Sequence, residues 1–515
     1  MNELEVDKLN EVYLQIRNLT QSSALELKEY FSCFIDNYWF SPKVKAKLWD
    51  GKISFYDWKN QTIPFGLFPQ FVKFCNKFNY QYKVNFSKED VINQITDEEF
   101  EEFYEAIFKD STYSPRDYQD ESIKKALRMK RGVIESATAS GKSLSIYAII
   151  RFILGIITEN KKILFVVPNI NLVNQIFSDF VDYGWKQAES NCSLIYNNSK
   201  KVDWEKPIII STWQSLIKKP AEFFQKFQAV IVDEVHLAQA ISINKILKQC
   251  INADYRIGLT GTMPESLISQ FTIYGYLGPK IFEIKSFELI EKGILSKIKI
   301  ANILLQYPKE TVYEYWHDDE DNIKKTSYQD ELNIIYGYKK RNEIFKYIIN
   351  NINQSHNVLI LCHKINHLKL IKEYIEKIFT NHKIYEIYGL TEGDERERIR
   401  KLSNLQESTI ILGTYATLST GFNLPRLHHI IFASSFRSKI KILQSIGRGL
   451  RVHDTKDRLL VWDIVDDLSW VHNWGDNDVK HINYVYEHWK ERLRYYNAQN
   501  FNYITKVINI SDITI

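Results

Sequence analysis

The sequence predicts an α/β fold with two tandem parallel-sheet lobes, a small α+β N-terminal domain and a short helical C-terminal appendage. Short runs rich in β-branched residues recur in two series, and each run is followed by turn residues and an amphipathic segment. Buried strands that alternate with helices are typical of parallel sheets with right-handed crossovers. The length of 515 residues also exceeds what one hydrophobic core usually supports.

The strand-like runs set the predicted domain boundaries. We expect an N-terminal domain over residues 1–110, a first lobe over 111–290, a second lobe over 291–470 and the appendage over 471–515. The first lobe holds the runs GVIES, KILFVVP, PIIIST and AVIVDE, and the second holds VLILC, STIILGT, HHIIFAS and RLLVWDIVDD. The appendage contains the helix-like segment YVYEHWKERLRYY.

Within the N-terminal domain, residues 37–88 hold nine lysines but only two aspartates, with aromatic residues interleaved. Lysines neutralise phosphates and exposed aromatic rings stack on bases, so this stretch predicts an accessory nucleic-acid-binding surface. Most of the aromatic residues are expected in the core of so small a domain. The residues expected to contact nucleic acid are Lys43, Lys45, Lys47 and Lys52.

The bulk composition excludes several classes of protein. A net charge of +4 is too small for a global positive field to bind nucleic acid, so local clusters must do so. The five cysteines lack zinc-ligand spacing and predict reduced thiols. Without a run of eighteen apolar residues or a secretory signal, we expect a cytoplasmic protein that does not enter the membrane.

The segment SATASGKS, residues 136–143, lies between a strand-like run and a helix-like run. A strand, a tight loop and a helix form a phosphate cradle, because backbone N–H groups and the helix N-terminus converge on the phosphates. We expect Lys142 to reach the β- and γ-phosphates of ATP and Ser143 to bind Mg²⁺. The other loop residues expected to bind the nucleotide are Ser136, Ala137, Thr138, Ala139, Ser140 and Gly141.

A second motif, AVIVDEVH over residues 229–236, ends an apolar run in two adjacent carboxylates. At the carboxyl edge of a parallel sheet, Asp233 is placed to bind Mg²⁺ and Glu234 to orient or deprotonate the attacking water. Alone, Asp-Glu after a strand is more often a turn. It gains weight here because LTGTM follows it, and His236, Thr260 and Thr262 are expected to couple ATP to nucleic acid.

The third motif, QSIGRGLR over residues 444–451, lies in the second lobe. Helical spacing places Gln444, Arg448 and Arg451 on roughly one face, because residues three and four apart are neighbours on a helix. Guanidinium groups supplied by a second lobe can neutralise charge on a transferred phosphoryl group. The alternative is a basic helix face that makes surface ion pairs or contacts nucleic acid.

Taken in order, these motifs resemble those of the superfamily 2 helicases, and the resemblance covers about residues 113–467. SPRDYQ looks like the adenine-side motif, VVPNINLVNQ and ISTWQSL like motifs Ia and Ib, VLILCHKINH like motif IV and TYATLSTGFNLP like motif V. The resemblance implies RecA-like lobes that clamp one ATP between them. It also implies nucleotide contacts by Arg116, Gln119, Gly421 and Asn423 and nucleic-acid contacts by Pro168, Thr212 and Thr414.

The same resemblance implies a helicase or translocase that uses ATP and Mg²⁺ to unwind or branch-migrate branched or forked DNA, R-loops and recombination or repair intermediates. RNA:DNA hybrids are a second candidate substrate, single-strand-binding or recombination proteins are candidate partners, and a monomer is expected. One alternative is an ATPase motor that moves on duplex DNA within a restriction or remodelling assembly without strand separation. Another is a catalytically silent scaffold, against which Lys142, Asp233, Glu234 and Arg451 argue.

Overall fold

The computed structural model describes residues 3–109, 111–158, 160–195, 202–239, 241–320, 322–418, 424–474 and 477–513. By internal contacts the chain forms two compact units, Met1–Ala137 with Gly141–Ile284, and Thr138–Ser140 with Lys285–Ile515. Each unit contains a seven-stranded sheet whose neighbouring strands all run parallel. This architecture confirms the predicted α/β class with two RecA-like lobes.

The first unit begins with the small α+β domain predicted for the N-terminus. Its main sheet has the order β5-β2-β1-β6, and its core is rich in aromatic residues such as Phe65, Phe71 and Phe74. Helix α3 begins at a Phe-Pro pair and ends before Asn79, whose left-handed backbone stops the helix. The elements are β1 Leu4–Lys8, β2 Tyr13–Arg17, α1 Gln21–Tyr30, β3 Ser32–Phe34, α2 Pro42–Lys45, β4 Lys52–Ser54, β5 Thr62–Pro64, α3 Phe68–Phe78 and β6 Tyr82–Val84.

The larger part of the first unit is the sheet β13-β7-β12-β11-β8-β10-β9, with helices between most pairs of successive strands. Its strands are buried runs of β-branched residues, as the sequence predicted. The elements are α4 Asp97–Phe108, α5 Asp117–Met129, β7 Arg131–Ser136, α6 Lys142–Ile156, β8 Lys162–Val167, α7 Ile170–Asp182, α8 Ala188–Asn191, β9 Cys192–Ile195, β10 Ile208–Thr212, α9 Trp213–Leu216, α10 Ala221–Phe224, β11 Phe227–Val232, α11 Ile241–Gln249, β12 Tyr255–Thr260, α12 Leu267–Leu277 and β13 Lys280–Ile284.

The N-terminal domain packs directly on this larger part. Gly66 approaches α12 so closely that a Cβ there would lie 1.8 Å from the Tyr274 carbonyl oxygen, so only glycine fits. Arg131 donates to Glu11 at 2.7 Å, and its guanidinium lies 3.7 Å from the centre of the Phe65 ring. These contacts join the two parts into one unit.

The second unit is built on the sheet β16-β17-β15-β18-β19-β14-β22. Its elements are α13 Ser286–Glu291, β14 Lys297–Gln306, α14 Lys309–Trp316, α15 Tyr328–Gly337, α16 Glu343–Asn350, β15 Val358–Cys362, α17 Ile365–Ile378, β16 Lys383–Ile387, α18 Gly393–Leu405, β17 Thr409–Thr414, α19 Tyr415–Leu418, β18 His429–Phe432, α20 Lys439–Gly449, β19 Arg458–Asp467, β20 Trp470–Trp474, β21 Asn477–His481, α21 Tyr484–Ala498 and β22 Tyr503–Asn509.

The C-terminal segment contains the predicted helix, α21, and a strand that the sequence did not reveal. Strand β22 pairs in parallel with β14 at the edge of the second sheet. In the part of the chain described above, no helix has both the length and the apolar character needed to span a membrane.

Candidate functional site

The loop between β7 and α6 adopts a backbone that its sequence favours. Gly141 has a φ of +83°, a left-handed conformation that glycine reaches without strain. Gln119 Nε2 donates to the Gly141 carbonyl at 3.0 Å, and Gln119 Oε1 accepts from Arg116 N at 2.9 Å. A Cβ at Gly141 would lie 2.6 Å from Gln119 Nε2. The structure therefore brings the predicted adenine-side residues to the glycine-lysine turn.

Lys142 and Ser143 open helix α6. Lys142 Nζ donates to the carbonyl oxygens of Ser136 at 3.1 Å and Ala137 at 3.5 Å, so the ammonium lies inside the curve of the loop. The Ser143 hydroxyl lies close to the Tyr183 hydroxyl on the segment that follows α7, and it partly offsets the rise that burial produces in the pKa of Tyr183. Tyr183 is a neighbour of the site that sequence reasoning missed, because nothing local marks a tyrosine forty residues away.

Asp233 and Glu234 follow strand β11, two strands from β7 across the sheet. Because both strands run parallel, their carboxyl ends meet at one edge. Asp233 N donates to the Val166 carbonyl at 3.0 Å and Glu234 N donates to Asp233 Oδ1 at 2.9 Å. Glu234 has a φ of +52°, which costs energy for a residue with a Cβ, and such strain concentrates at functional sites.

The two carboxyl groups act on each other's protonation. Burial and the neighbouring Glu234 carboxylate raise the pKa of Asp233. Burial pushes the pKa of Glu234 upward too, but the His236 contact at 3.3 Å and the charge of Lys142 outweigh it and lower that pKa. The Lys142 charge also favours ionised Asp233. The structure thus brings Lys142, Asp233 and Glu234 within electrostatic reach of one another.

The residues expected to couple ATP to nucleic acid form one chain of contacts. His236 Nδ1 lies 3.0 Å from Thr260 Oγ1, and the Thr260 hydroxyl donates to the Thr262 carbonyl at 3.1 Å. All three side chains are buried. Because the Thr260 hydroxyl uses its proton on Thr262, it accepts from an Nδ1-protonated His236. His236 therefore contacts both Glu234, at 3.3 Å, and the threonine that ends β12.

Glu135, the residue before the loop, also belongs to this region and was missed by sequence reasoning. Its Oε1 accepts from Met263 N at 2.9 Å and its Oε2 pairs with Lys280 at 3.1 Å. Glu135 therefore ties strand β7 to the turn after Thr262 and to β13. An acidic residue inside an otherwise apolar strand was the signal that could have identified it.

The residues at this edge fit a magnesium ion by the chemistry of their donors. The Ser143 hydroxyl and the Asp233 carboxylate are oxygen donors of the kind that Mg²⁺ prefers. Mg²⁺ commonly takes only one or two protein carboxylates and completes its shell with water and phosphate oxygens.

In the second unit, Gln444 and Arg448 lie four residues apart on α20 and are both buried. The prediction that Arg451 shares their helix face is wrong, because α20 ends at Gly449. Arg451 instead forms an isolated bridge with Leu295, is exposed, and its carbonyl accepts from Ser296 Oγ at 3.0 Å. Spacing alone could not reveal where the helix stops.

Lys456 supports the end of α20 and was also missed. Its Nζ donates to the Gly449 carbonyl at 2.8 Å and to the Pro425 carbonyl at 3.1 Å. Burial lowers the pKa of this lysine to about 8. A cation at a helix C-terminus satisfies carbonyl groups that have no partner within the helix.

The residues predicted to contact a nucleic-acid strand lie at the ends of buried strands. Pro168 and Thr212 follow or end the neighbouring strands β8 and β10, and Gln214 Nε2 donates to the Pro168 carbonyl at 3.3 Å. Thr414 ends β17, and its hydroxyl is bonded to Thr417 Oγ1 at 2.7 Å. The predicted nucleotide contacts Gly421 and Asn423 lie outside the described residues.

The four predicted lysines of the N-terminal domain fall into two groups. Lys43, Lys45 and Lys47 are exposed. Lys52 is partly buried, forms an ion pair with Glu29, and its ammonium lies 5.1 Å from the centre of the Phe34 ring. Only the first group presents its charge outward.

Family models match three parts of the chain. Residues 7–85 match the N-terminal domain of the DNA helicase UvsW, residues 112–265 match the res subunit of type III restriction enzymes, and residues 339–453 match the helicase conserved C-terminal domain. The three matches follow the order of the N-terminal domain and the two sheets.

Individual relatives agree with these matches. The ATP-dependent DNA helicase uvsW of Enterobacteria phage T4 is 31% identical over 504 residues, which cover 95% of this chain and 96% of the relative. The crystal structure of T4 UvsW aligns with a TM-score of 0.50 at 28% identity, covering 99% of this chain and all of that one. The DNA 3'-5' translocase XPB2 of Sulfurisphaera tokodaii is 24% identical over 67% of this chain and 80% of its own. The chain therefore belongs to the UvsW family of superfamily 2 helicases, which hydrolyse ATP.

Proposed function

We propose that this protein uses ATP hydrolysis to unwind or branch-migrate branched DNA, including R-loops and recombination or repair intermediates. The observation that carries the proposal is the grouping of Lys142 with Asp233 and Glu234 at the carboxyl edge of the first sheet. The relative whose alignment covers 95% of this chain is named an ATP-dependent DNA helicase, and this supports DNA as the substrate.

In the proposed mechanism, the loop before α6 binds the phosphates through its backbone N–H groups and Lys142 neutralises the β- and γ-phosphate oxygens. Glu234 orients the attacking water, and its lowered pKa keeps it ionised and able to accept a proton. Ser143 and Asp233 would hold Mg²⁺, which when bound supplies charge neutralisation on the phosphate oxygens.

For the second unit, we propose that Gln444, Arg448 and Arg451 act on the γ-phosphate as charge develops there. The buried guanidinium of Arg448 is suited to this role, because the interaction between charges strengthens where water is excluded. Lys456 would hold the end of α20 in place for Arg448.

Contact with DNA is proposed at the carboxyl ends of β8, β10 and β17, near Pro168, Thr212 and Thr414. The hydroxyls of the two threonines are already bonded to neighbouring side chains. Backbone N–H groups just beyond these strand ends are therefore the donors proposed for phosphates, and after β8 they come from residues that follow Pro168, which has no N–H. Contacts of this kind carry no sequence information, so we expect binding that is independent of sequence.

A strand-displacement assay on forked DNA, a Holliday junction and an RNA:DNA hybrid tests the proposal. The parent protein should resolve branched substrates with ATP, and Lys142→Ala should not. ATP hydrolysis at the parent rate by Lys142→Ala, or failure of the parent protein to process any branched substrate, would refute it.

A second candidate is a motor that moves on duplex DNA without separating strands, which the match of residues 112–265 to a restriction-enzyme subunit favours. Displacement of a third strand from a triplex reports such movement. If the parent protein removes the third strand but never opens a fork, this candidate replaces the first.

A further inference from the structure

The segment between β3 and β4, residues 35–51 and here termed the tip segment, presents large apolar side chains to solvent. Trp39 is 54% exposed, Phe40 67% and Leu48 80%. Single exposed apolar residues are common, but contiguous ones on an ordered segment mark binding sites.

The tip segment is held in a defined shape. Ile35 N donates to the Gly51 carbonyl at 2.9 Å, and Trp49 Nε1 donates to the Lys52 carbonyl at 2.9 Å. Gly51 has a φ of +83°, and a Cβ there would lie 2.7 Å from the Tyr38 ring. Its exposed rings are therefore fixed before any partner binds, which reduces the entropy lost on binding.

The rings form a continuous series. The ring centroids of Phe34 and Tyr38 are 4.4 Å apart and stacked, those of Tyr38 and Trp39 are 5.3 Å apart, and those of Trp39 and Phe40 are 5.9 Å apart. The inner rings support the outer ones. Trp39 and Phe40 are consequently exposed to solvent while the rings of Phe34 and Tyr38 pack behind them.

The charge around these rings is positive. Lys43, Lys45 and Lys47 are exposed, and Lys45 Nζ lies 5.9 Å from the centre of the Phe40 ring. Both acidic residues of the tip segment are engaged, since Asp36 accepts from Ser266 Oγ and Asp50 accepts from Lys52 N. Flat apolar rings beside free ammonium groups match nucleobases beside phosphates.

We propose that Trp39 and Phe40 stack on nucleobases exposed at a DNA branch point, while Lys43, Lys45 and Lys47 hold the adjacent phosphates. Two well-exposed rings cover only one or two bases, so they suit a discontinuity in the duplex better than a long single strand. This inference rests on the proposed function, because it names the feature of the DNA that the protein recognises.

The tip segment is tied to the first sheet as well as to its own domain. Ser266, which precedes α12, donates to Asp36 at 2.7 Å. The ring of Phe55, just after the tip segment, lies 5.7 Å from that of Phe271 on α12. A base held by the tip segment is therefore held by the unit that contains Lys142.

Binding to forked DNA without nucleotide tests the inference independently of ATP hydrolysis. The fork carries 2-aminopurine at the branch, and an unbranched duplex of equal length is the reference. The double variant Trp39→Leu/Phe40→Leu keeps apolar bulk but removes both rings. It should bind the fork about tenfold or more weakly, leave duplex affinity unchanged and abolish the 2-aminopurine signal change.

Two controls separate stacking from other roles. Trp39→Tyr/Phe40→Tyr keeps flat rings and should retain fork preference, and Phe78→Leu removes a 37%-exposed ring outside the tip segment and should change nothing. ATP hydrolysis without DNA should match the parent in Phe78→Leu and in the tip-segment variants. Lys142→Ala should still prefer the fork, so loss of the proposed function and loss of this inference give different results.

Changing Lys43, Lys45 and Lys47 to alanine should weaken binding to the fork and to the duplex alike. The slope of the logarithm of the binding constant against the logarithm of salt concentration should become shallower by about 2–3. Unchanged fork preference in the double leucine variant would overturn the inference. So would a parent protein that self-associates through these rings, with the double leucine variant monomeric and equally tight on the fork.

Discussion

The two sheets use buried charge in opposite ways. In the second unit, Asp463 and Asp466 are almost fully buried, and each accepts two hydrogen bonds from one arginine, Arg492 and Arg341 respectively. In the first unit, Asp233 and Glu234 lie side by side at a sheet edge, so that each carboxyl affects the other.

The difference separates charge that organises the fold from charge kept for chemistry. A buried carboxylate that accepts two hydrogen bonds from one arginine has its charge and its hydrogen-bonding capacity satisfied. Such a pair holds the neighbouring elements in one arrangement. Adjacent carboxyls with displaced pKa values are typical of sites that bind a cation or move a proton. The central claim is that Asp233, whose pKa is raised in the fold, is retained for ATP at the expense of stability.

The largest stability effect should follow from breaking an arginine pair. Asp466→Asn leaves the Arg341 guanidinium buried without its counter-charge, and we expect a loss of about 3–5 kcal/mol in the free energy of unfolding. Urea unfolding, followed by the fluorescence of tryptophan, measures it. Replacing both partners, Arg341→Met with Asp466→Leu, should cost less than the single change. A single change that costs under about 1 kcal/mol would mean that the pair does not organise the fold.

Acid should weaken the second unit more than the first. Burial and the neighbouring histidines lower the pKa of His428 to about 4 and of His429 to about 3, so both rings stay neutral when folded. The unfolded chain protonates them below about pH 6.5. The folded state therefore loses about 1.4 kcal/mol per histidine for each pH unit below that value.

Hydrogen exchange read by mass spectrometry at about pH 7 and pH 5.5 locates this effect. After correction for intrinsic exchange, peptides from β15 and β18 should lose protection at the lower pH, and His429→Gln should reduce the loss. Equal loss of protection in β7 and β11 would show that these histidines do not make the second unit more sensitive to acid than the first.

A smaller effect is expected at Lys456. Lys456→Met leaves the Gly449 and Pro425 carbonyls without this donor, which should cost about 1–3 kcal/mol. Lys490→Met, at a partly exposed position on α21, is the matched control and should change stability by less than about 0.5 kcal/mol. Equal stability of the two variants would remove Lys456 from the support of α20.

Much of the fold could be predicted because the buried strands are continuous apolar runs. KILFVVP and VLILC both became central strands, β8 and β15. The sequence did not reveal β22, because its exposed, mixed side chains resemble a surface segment and its partner β14 lies about two hundred residues earlier. Pairing between distant segments leaves no local pattern to read.

The same distinction between local sequence pattern and contacts of distant segments applies to the candidate site. Asp233 and Glu234 follow the apolar strand β11 directly, and Lys142 opens the helix after the loop that follows β7, so their place at the sheet edge could be predicted from local pattern. Tyr183 and Lys456 could not, since each acts through a contact made only in the folded chain. The four-part division of the chain and the roles of the site residues stay predictions.

The most direct test of the central claim is ATP hydrolysis and thermal unfolding measured together on Asp233→Asn. Burial and Glu234 raise the pKa of the Asp233 carboxyl, so replacing it by an uncharged amide should leave the melting temperature equal or higher, while DNA-stimulated hydrolysis falls by roughly 100-fold or more. Hydrolysis at the parent rate, or a fall in melting temperature like that of Asp466→Asn, would contradict the claim.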